Sequence, residues 1–578
     1  MDKHAIAGVL EEIGTLLELR GEDPFRARAY YNAARALEGV EGDVAMLART
    51  GELEKVKGFG RTTARVVREL VEAGVSSYHQ ELRRGTPAGL LELLGVPGLG
   101  ARRVRALHVE LGITSLEELE RAAAEGRVAG VAGFGEKTQQ KILEGIAFLR
   151  SVAGRRRQPE AWAAAEQAVD YLRAHPEVAR VEVAGELRRW LEVADGVDLV
   201  ASVVAGAERV IGAFFEMPGV AHGERVGEAG ARVRLSDGLE LRLRCVAPEA
   251  FVAAWVHGTG SEAHVAALVR RAVELGLRLD GSGLWRDGER VALGDEAELY
   301  AALGLAYVVP ELREGLGEVE AAAVGGLPRL VTAGDLRGAF HCHTTYSDGR
   351  ASVRELAEAA LARGWRYLGI ADHSQVAAYA GGLTPERLRR QHEEIDAWNA
   401  ERGDELWLFK GVEADILPDG RLDYADLDED VLASCDYVVG SVHSAFGQSE
   451  AEMTRRVLRA LENPHLTFLG HPTGRLLLSR KGFELDMEAV IDAAAERGVG
   501  IEINANPWRL DMDWRLWRRA REKGVKTAIN PDAHSVAELD HVRFGVAVAR
   551  KGWLTPEDVV SAWDLERVRA YFERRKSR

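Results

Sequence analysis

Cysteine is almost absent: 578 residues include three, Cys245, Cys342 and Cys435, scattered and without CxxC spacing. That excludes a disulfide framework and a thiolate zinc site, so any metal must be held by histidine and carboxylate. Long apolar runs are missing too. No segment approaches the roughly twenty residues of a membrane span, and the opening MDKHAIAGVLEEIGTLLELR reads as an amphipathic helix with acidic residues, unlike a secretory or transit signal. Cytoplasmic residence is the expectation. Positive charge is also not in excess. A formal net charge of −16 argues against a chain coated for nonspecific nucleic-acid binding, and leaves room for a local basic surface or bound divalent ions.

A chain of 578 residues is too long for one ordinary domain and should hold several separately cored units. Its 46% hydrophobic and 29% charged residues read as soluble and globular. Residues 1–150 show a helical pattern broken by short glycine-containing turns. From about 160 to 310, strands such as VDLVASVV and LELRLRCV alternate with helices such as SEAHVAALVRRAVELG. SVAGRRRQPE (151–160) reads as a linker, and EAAAVGGLPRLVTAGDLRG (320–338) as a second break.

Beyond 339 short apolar strands recur, each ending in a candidate ligand: GAFHCH, YLGIADH, LFKGVEAD, YVVGSVH, TFLGH, GIEIN and TAINPDAH. The ends are marked by His341, His373, Glu413, His443, His471, Glu502 and Asp532, separated by 28 to 40 positions. A strand plus return helix takes roughly 30 residues, so this is the rhythm of a βα barrel, whose site assembles at the C-terminal ends of its strands. His341, His343, Asp348, His373, Glu413, His443, His471, Asp532 and His534 are then nine potential ligands for one mouth. That number asks for two or three ions with a bridging carboxylate such as Glu413. His392, His465 and His541 fall outside the strand ends. Imidazole with carboxylate fits zinc, manganese or iron. Clustered divalent ions suit phosphate-ester hydrolysis. Arg475 and Arg509, each following a strand end, are candidates to clamp a phosphate oxygen. Glu413, His443, Arg475 and Arg509 are the expected catalytic residues, with a protonated histidine assisting the departing alkoxide.

Residues 338–578 resemble the PHP (polymerase and histidinol phosphatase) family: HCHTTYSDG, ADHS, GVEADILPDG, SVHS, GHPTGRLL, EINANPWRLD and PDAH match its motifs in order. The resemblance implies a distorted seven-stranded βα barrel with a trinuclear metal site and metallophosphoesterase activity.

VKGFGRTTARVV (56–67), VPGLGARRVRAL (96–107) and VAGFGEKTQQKI (131–142) share one pattern: apolar, any residue, glycine, apolar, glycine, then a helix. Gly58, Gly60, Gly98, Gly100, Gly133 and Gly135 would let the backbone approach a phosphate at a helix N-terminus. These segments look like helix-hairpin-helix motifs, which grip DNA backbone without reading sequence. Arg61, Arg102, Arg103 and Lys137 are the expected phosphate contacts.

Nearly the whole chain is then similar to the bacterial family X DNA polymerases with a C-terminal PHP domain. GEDPFRARAYYNAARALEGV (21–40) matches the N-terminal small domain, AGELRRWLEVADGVDLV (184–200) the palm, GTGSEAH (258–264) its nucleotide-binding region and YAALGLAYVVPELREGLGEVEAA (300–322) the end of the thumb. The implied fold is multidomain. An α-helical helix-hairpin-helix N-terminal region spans 1–80 and 81–153, an α+β nucleotidyltransferase-like palm and thumb 160–318, and a distorted (β/α)7 PHP barrel 336–578.

The family's polymerase site falls on Gly185, Arg188, Gly196, Asp198 and Arg242, and it reads as degenerate. Of the three family aspartates, only the one at Asp198 remains; the others fall on Gly196 and Arg242. Glu186 stands where the triphosphate-binding turn has serine. Asp195 is expected on the opposite strand face, unable to substitute. An Asp198–Arg242 ion pair in place of the polymerase metals is the expectation. The family's Schiff-base lysine position is Val66, with Lys55 and Lys57 nearby.

The resemblance therefore implies a DNA-repair 3′→5′ exonuclease, with abasic-site cleavage as a further activity. It uses two or three divalent ions in the barrel and DNA with a gap, nick or 3′ end. It would be a nucleoid-associated monomer with no membrane partner. The alternatives are an active gap-filling polymerase, with deoxynucleotide and magnesium or manganese at the palm, and a noncatalytic DNA-end scaffold. A small-molecule phosphatase would fit the barrel alone.

Overall fold

The computed structural model describes residues 3–38, 40, 44–424 and 431–576. The chain forms two compact units, Met1–Ala153 and Gly154–Arg578. In the first unit the three glycine turns feed the helices Arg61–Ala73, Ala101–Leu111 and Glu136–Val152. The leading glycine of each turn has φ of 105°, 84° and 83° at Gly58, Gly98 and Gly133, a region side chains avoid. The second glycine is the helix N-cap in each case. Leu10, Ile13, Leu53, Val66 and Leu70 share one core, and Leu93, Val104, Leu107, Leu119 and Ile142 another.

The second unit opens with a five-stranded sheet in the order Val178–Ala184, Val197–Val203, Glu240–Val246, Gly230–Leu235, Val220–Val226. Its only parallel pair is Val197–Val203 with Glu240–Val246, which sets Asp198 directly beside Arg242. Beyond it, Glu296 is buried and gripped by two arginines. Arg188 donates to both its oxygens at 2.8 and 2.7 Å, and Arg313 at 2.8 and 3.2 Å. Burial raises the Glu296 carboxyl, yet the bonds from Arg188 and Arg313 outweigh it and hold the group at about 2. A carboxyl lowered by folding stabilises the native state above its ordinary range and stops doing so as pH falls toward the folded value. Glu296→Ala, which strands the fully buried Arg313, should therefore cost about 3–5 kcal/mol in urea unfolding at neutral pH. The gap between wild type and Glu296→Gln should shrink as pH falls from 4.5 toward about 2.

The last region carries six parallel strands in sequential order: Tyr367–Ile370, Trp407–Asp415, Tyr437–Ser441, Phe468–Leu469, Gly500–Asn504 and Thr527–Asn530. Nearly every residue in them is buried, as in parallel sheets covered on both faces. Residues 339–343 close the ring: the Gly369 N–H donates to Ala339 O at 2.8 Å, and the His343 N–H to Ala533 O at 2.8 Å. Glycine at 369 and 411 makes room for the Tyr437 ring, whose hydroxyl donates to the carbonyls of Phe340 at 2.6 Å and Ile370 at 3.0 Å. Phe572, from the helix Leu565–Lys576, packs at 5.3 Å from Phe340 and 5.4 Å from Tyr437. The palm and thumb fasten onto the barrel through Lys551, a buried amine that donates to Glu314 at 2.5 Å and to Arg189 O at 3.0 Å.

Candidate metal centre and the altered palm

All nine predicted ligands converge at the C-terminal ends of the barrel strands. Three groups overlap: His341, His343 and Glu413; His343, Asp348, His373 and His534; and His373, Glu413 and His443, with ligand atoms within 4.8 Å of one another in each. His471 Nε2 lies 3.0 Å from Glu413 Oε1. Asp532 Oδ1 lies 3.3 Å from His343 Nε2 and 3.6 Å from His341 Nε2. Asp532 has φ 51°, a conformation found at sites where the fold overrides local preference. His392, His465 and His541 belong to none of these groups.

Burying so many polar groups demands partners, and several have only charge contacts without a directed hydrogen bond. His341 Nε2, both nitrogens of His343, His373 Nδ1 and Glu413 Oε2 are buried without a hydrogen bond. Burial lowers His373 and His443, but Glu413 overrides it, with Asp348 at the first and Asp415 at the second, pushing them up to about 10 and about 9. Burial and then His534 and His373 drive His343 down to about 3. Burial opposes the charge of Glu413, yet His443, His341 and His373 hold it well below the usual range. Unpaired imidazole nitrogens facing carboxylate oxygens are the donor set a shared cation satisfies, and nitrogen with oxygen fits zinc, manganese or iron.

An outer layer aims these ligands. Glu502, seen in the sequence only as a strand end, lies 2.6 Å from His341 Nδ1 and accepts the His471 N–H at 2.8 Å. Asp415 lies 2.6 Å from His443 Nδ1. The sequence reading missed it, although residues 413 and 415 share a strand face. Asp372 accepts the Thr344 N–H at 2.8 Å and its hydroxyl at 2.6 Å, shaping the turn that carries Asp348. Asn504 donates to Asp532 at 2.9 Å. Such outer carboxylates fix the ring orientation of metal-binding histidines.

The two expected phosphate arginines separate. Arg509 Nε lies 3.3 Å from Asp532 Oδ2, beside the ligands. Arg475 is turned elsewhere: Nε donates to Arg509 O and Nη1 to Asp513, each at 2.9 Å, and Nη2 to Leu510 O. A catalytic role for Arg475 is thus corrected to holding the loop that presents Arg509. His443 is likewise committed, its Nε2 3.3 Å from Glu413 Oε1, which favours a ligand over a proton donor to the alkoxide.

In the palm, Arg242 Nε lies 2.8 Å from Asp198 Oδ1. Asp195 is not turned away: its Oδ1 lies 2.9 Å from Arg242 Nη2. The strand begins at Val197, so Asp195 sits in the preceding turn, where strand alternation does not hold. Burial and Asp195 together outweigh Arg242 and keep Asp198 above its ordinary range. Gly185, with φ 65°, packs against Asp198, and Glu186 Oε2 accepts the Asp195 N–H at 3.4 Å. A cleft of about 510 Å³ beside the pair is lined by Arg232, Arg242, Arg244 and Gly258. Arg188 does not face this cluster; its guanidinium serves Glu296 and lies 3.5 Å from the Trp255 ring centroid.

In the first unit Arg61, Arg102, Arg103 and Lys137 are exposed at their helix starts. Arg103 is partly spent on its own turn, donating to Gly98 O at 2.9 Å, and Glu136 puts an acid at the third start. Val66 is fully buried, and Lys55 pairs with Glu52 at 2.7 Å.

A helical unit with three hairpin turns, joined to a polymerase-like palm and thumb and a histidine-rich barrel, defines a multidomain nucleic-acid enzyme class. Residues 1–76 match a helix-hairpin-helix domain, 90–147 a SAM-like helix-hairpin-helix tandem, 254–314 a DNA polymerase beta thumb and 339–506 a PHP domain. The chain is 38% identical, over 99% of its length and 100% of the relative's, to the DNA polymerase/3′-5′ exonuclease PolX of Bacillus subtilis (strain 168). It is 27% identical over 249 residues, 41% of this chain and 94% of the relative, to a protein of Thermoanaerobacter sp. (strain X514) named "Probable phosphatase". The chain belongs to the PolX family of bacterial DNA polymerase/3′-5′ exonucleases. Among the described residues, no helix is long and apolar enough to cross a membrane.

Proposed function

We propose that this chain is a metal-dependent 3′→5′ DNA exonuclease, able also to cut at abasic sites, whose barrel does the chemistry while hairpins and palm hold the DNA. The observation that carries the reading is the set of overlapping His, Asp and Glu groups whose buried nitrogens and oxygens face one another without directed hydrogen bonds. Divalent ions held there by His341, His343, Asp348, His373, Glu413, His443, His471, Asp532 and His534 would supply Lewis-acid charge and an activated water for phosphodiester attack. The protein's own groups do the rest. Glu502 and Asp415 fix ring orientations, and Arg509, beside Asp532, offers guanidinium donors to a nonbridging phosphate oxygen.

Aromatic groups near the mouth favour nucleic acid over a small phosphate ester. Tyr379 is 74% exposed, with its ring 6.4 Å from that of His373. Phe446 is 38% exposed, stacked at 6.0 Å on Phe483 with Arg480 4.8 Å from its centroid. Unpaired bases stack on such platforms.

The palm is read as inactive, because the Arg242 guanidinium occupies the space between Asp195 and Asp198 where a cation would bind. A gap-filling polymerase is the second reading, favoured by the PolX relative's name and by the convergence of those two aspartates. One gel separates them: a 5′-labelled gapped duplex and a single strand, with manganese, with and without deoxynucleotides. Shortening that a chelator stops, faster on the single strand and without extension, is the expected result. Absence of shortening would sink the nuclease reading, and extension the inactive palm.

A further inference from the structure

We propose a second phosphate seat in the first unit, outside the glycine turns: a cavity of about 220 Å³ lined by Glu18, Pro24, Arg28, Tyr31, Asn32, Arg35 and Arg102, which holds a backbone phosphate of DNA. The proposal rests on the reading that this unit binds DNA. Arg28, Asn32 and Arg35 lie at i, i+4 and i+7 on the helix Pro24–Glu38, so they share one face. Arg102 comes from the second residue of the helix Ala101–Leu111, at its positive end.

None of these three guanidiniums forms an ion pair or hydrogen bond with a carboxylate among the described residues, whereas Arg83, Arg127 and Arg150 in the same unit do. Three unpaired guanidiniums around one space repel each other unless an anion enters, and the single Glu18 leaves the cavity net positive. A planar guanidinium matches phosphate oxygens in two-pronged geometry.

The position argues for the DNA backbone over a free anion. The first hairpin turn packs on the same helix: a Cβ at Gly58 would lie 2.6 Å from Ala36 Cβ and 3.4 Å from Asn32 O. The second hairpin supplies Arg102. The cavity thus lies between two turns that each present a helix start to phosphate, and Arg28 and Arg35 would continue that track where no glycine motif marks it.

The test is the salt dependence of duplex binding by the full chain, for wild type, Arg28→Ala/Arg35→Ala, Arg28→Lys/Arg35→Lys, and Arg127→Ala/Arg150→Ala as a control of equal charge loss at already paired arginines. Each lost phosphate contact lowers the slope of log K against log salt by roughly 0.9. The alanine pair, which empties a seat for one phosphate, should therefore lower it by about one, with the lysine pair and the control near wild type. Wild-type binding with an unchanged slope in the alanine pair, or an equal fall in the control, overturns the seat and leaves the DNA reading standing. Wild type without salt-dependent binding overturns both.

Discussion

His341→Ala/His343→Ala is expected to abolish metal-dependent DNA shortening, by on the order of a thousandfold or more, because several kcal/mol of charge stabilisation leaves with the ions. His343 belongs to two of the three ligand groups and His341 to the group it shares with Glu413, so the double substitution disables neighbouring sites at once. Metal content by mass spectrometry should fall in parallel, and duplex binding by the first unit should stay at wild-type affinity. Shortening within tenfold of wild type, with metal retained, would place the chemistry elsewhere.

Primer extension by the wild type should be undetectable, and Gly196→Asp alone should not create it. A Cβ at 196 would lie 2.9 Å from Arg242 Nη2 and 2.8 Å from Glu240 O, so the missing aspartate cannot return while the arginine stays. Arg242→Asp removes the guanidinium that bridges Asp195 and Asp198 and adds a third carboxylate. Like charges at this spacing destabilise the fold until a cation binds. In the His341→Ala/His343→Ala background, Arg242→Asp should therefore lower the melting temperature without metal and make it rise with manganese, while Arg242 in the same background shows no such rise. A metal-independent melting temperature for Arg242→Asp would mean that the palm is not a polymerase metal site with its ion replaced. Robust extension by the wild type would mean that Asp195 and Asp198 bind metal despite Arg242.

The barrel and the side chains that cluster at its mouth were readable because two periodicities coincide. A βα unit repeats at about 30 residues, and a strand's last inward position is where a ligand must stand, so His341, His373, Glu413, His443, His471 and Asp532 announce themselves by spacing. The hairpins were readable for a local reason: a turn at φ near 90° admits little but glycine, and it recurs at Gly58, Gly98 and Gly133.

Side chains whose roles depend on where a loop turns were not readable. Asp195 was misplaced because alternation was applied two residues before the strand begins at Val197. Arg475 has the position of a phosphate clamp but spends its donors on Arg509 O, Leu510 O and Asp513. Asp415 passed unnoticed and Glu502 stood out only as a strand end, yet each touches the Nδ1 of a clustered histidine, His443 and His341.

The sequence by itself determined the residue types, their order and their spacing, and with them the family, the barrel and the nitrogen and oxygen donor set, because those follow from local backbone geometry and strand and helix periods. Only the tertiary structure decided which carboxylates face one another and which stand behind, that Arg242 bridges two aspartates, and that Arg28, Arg35 and Arg102 meet around one space. Those outcomes depend on distances between segments far apart in the chain, where a shift of a few ångströms separates an ion pair from two solvated charges.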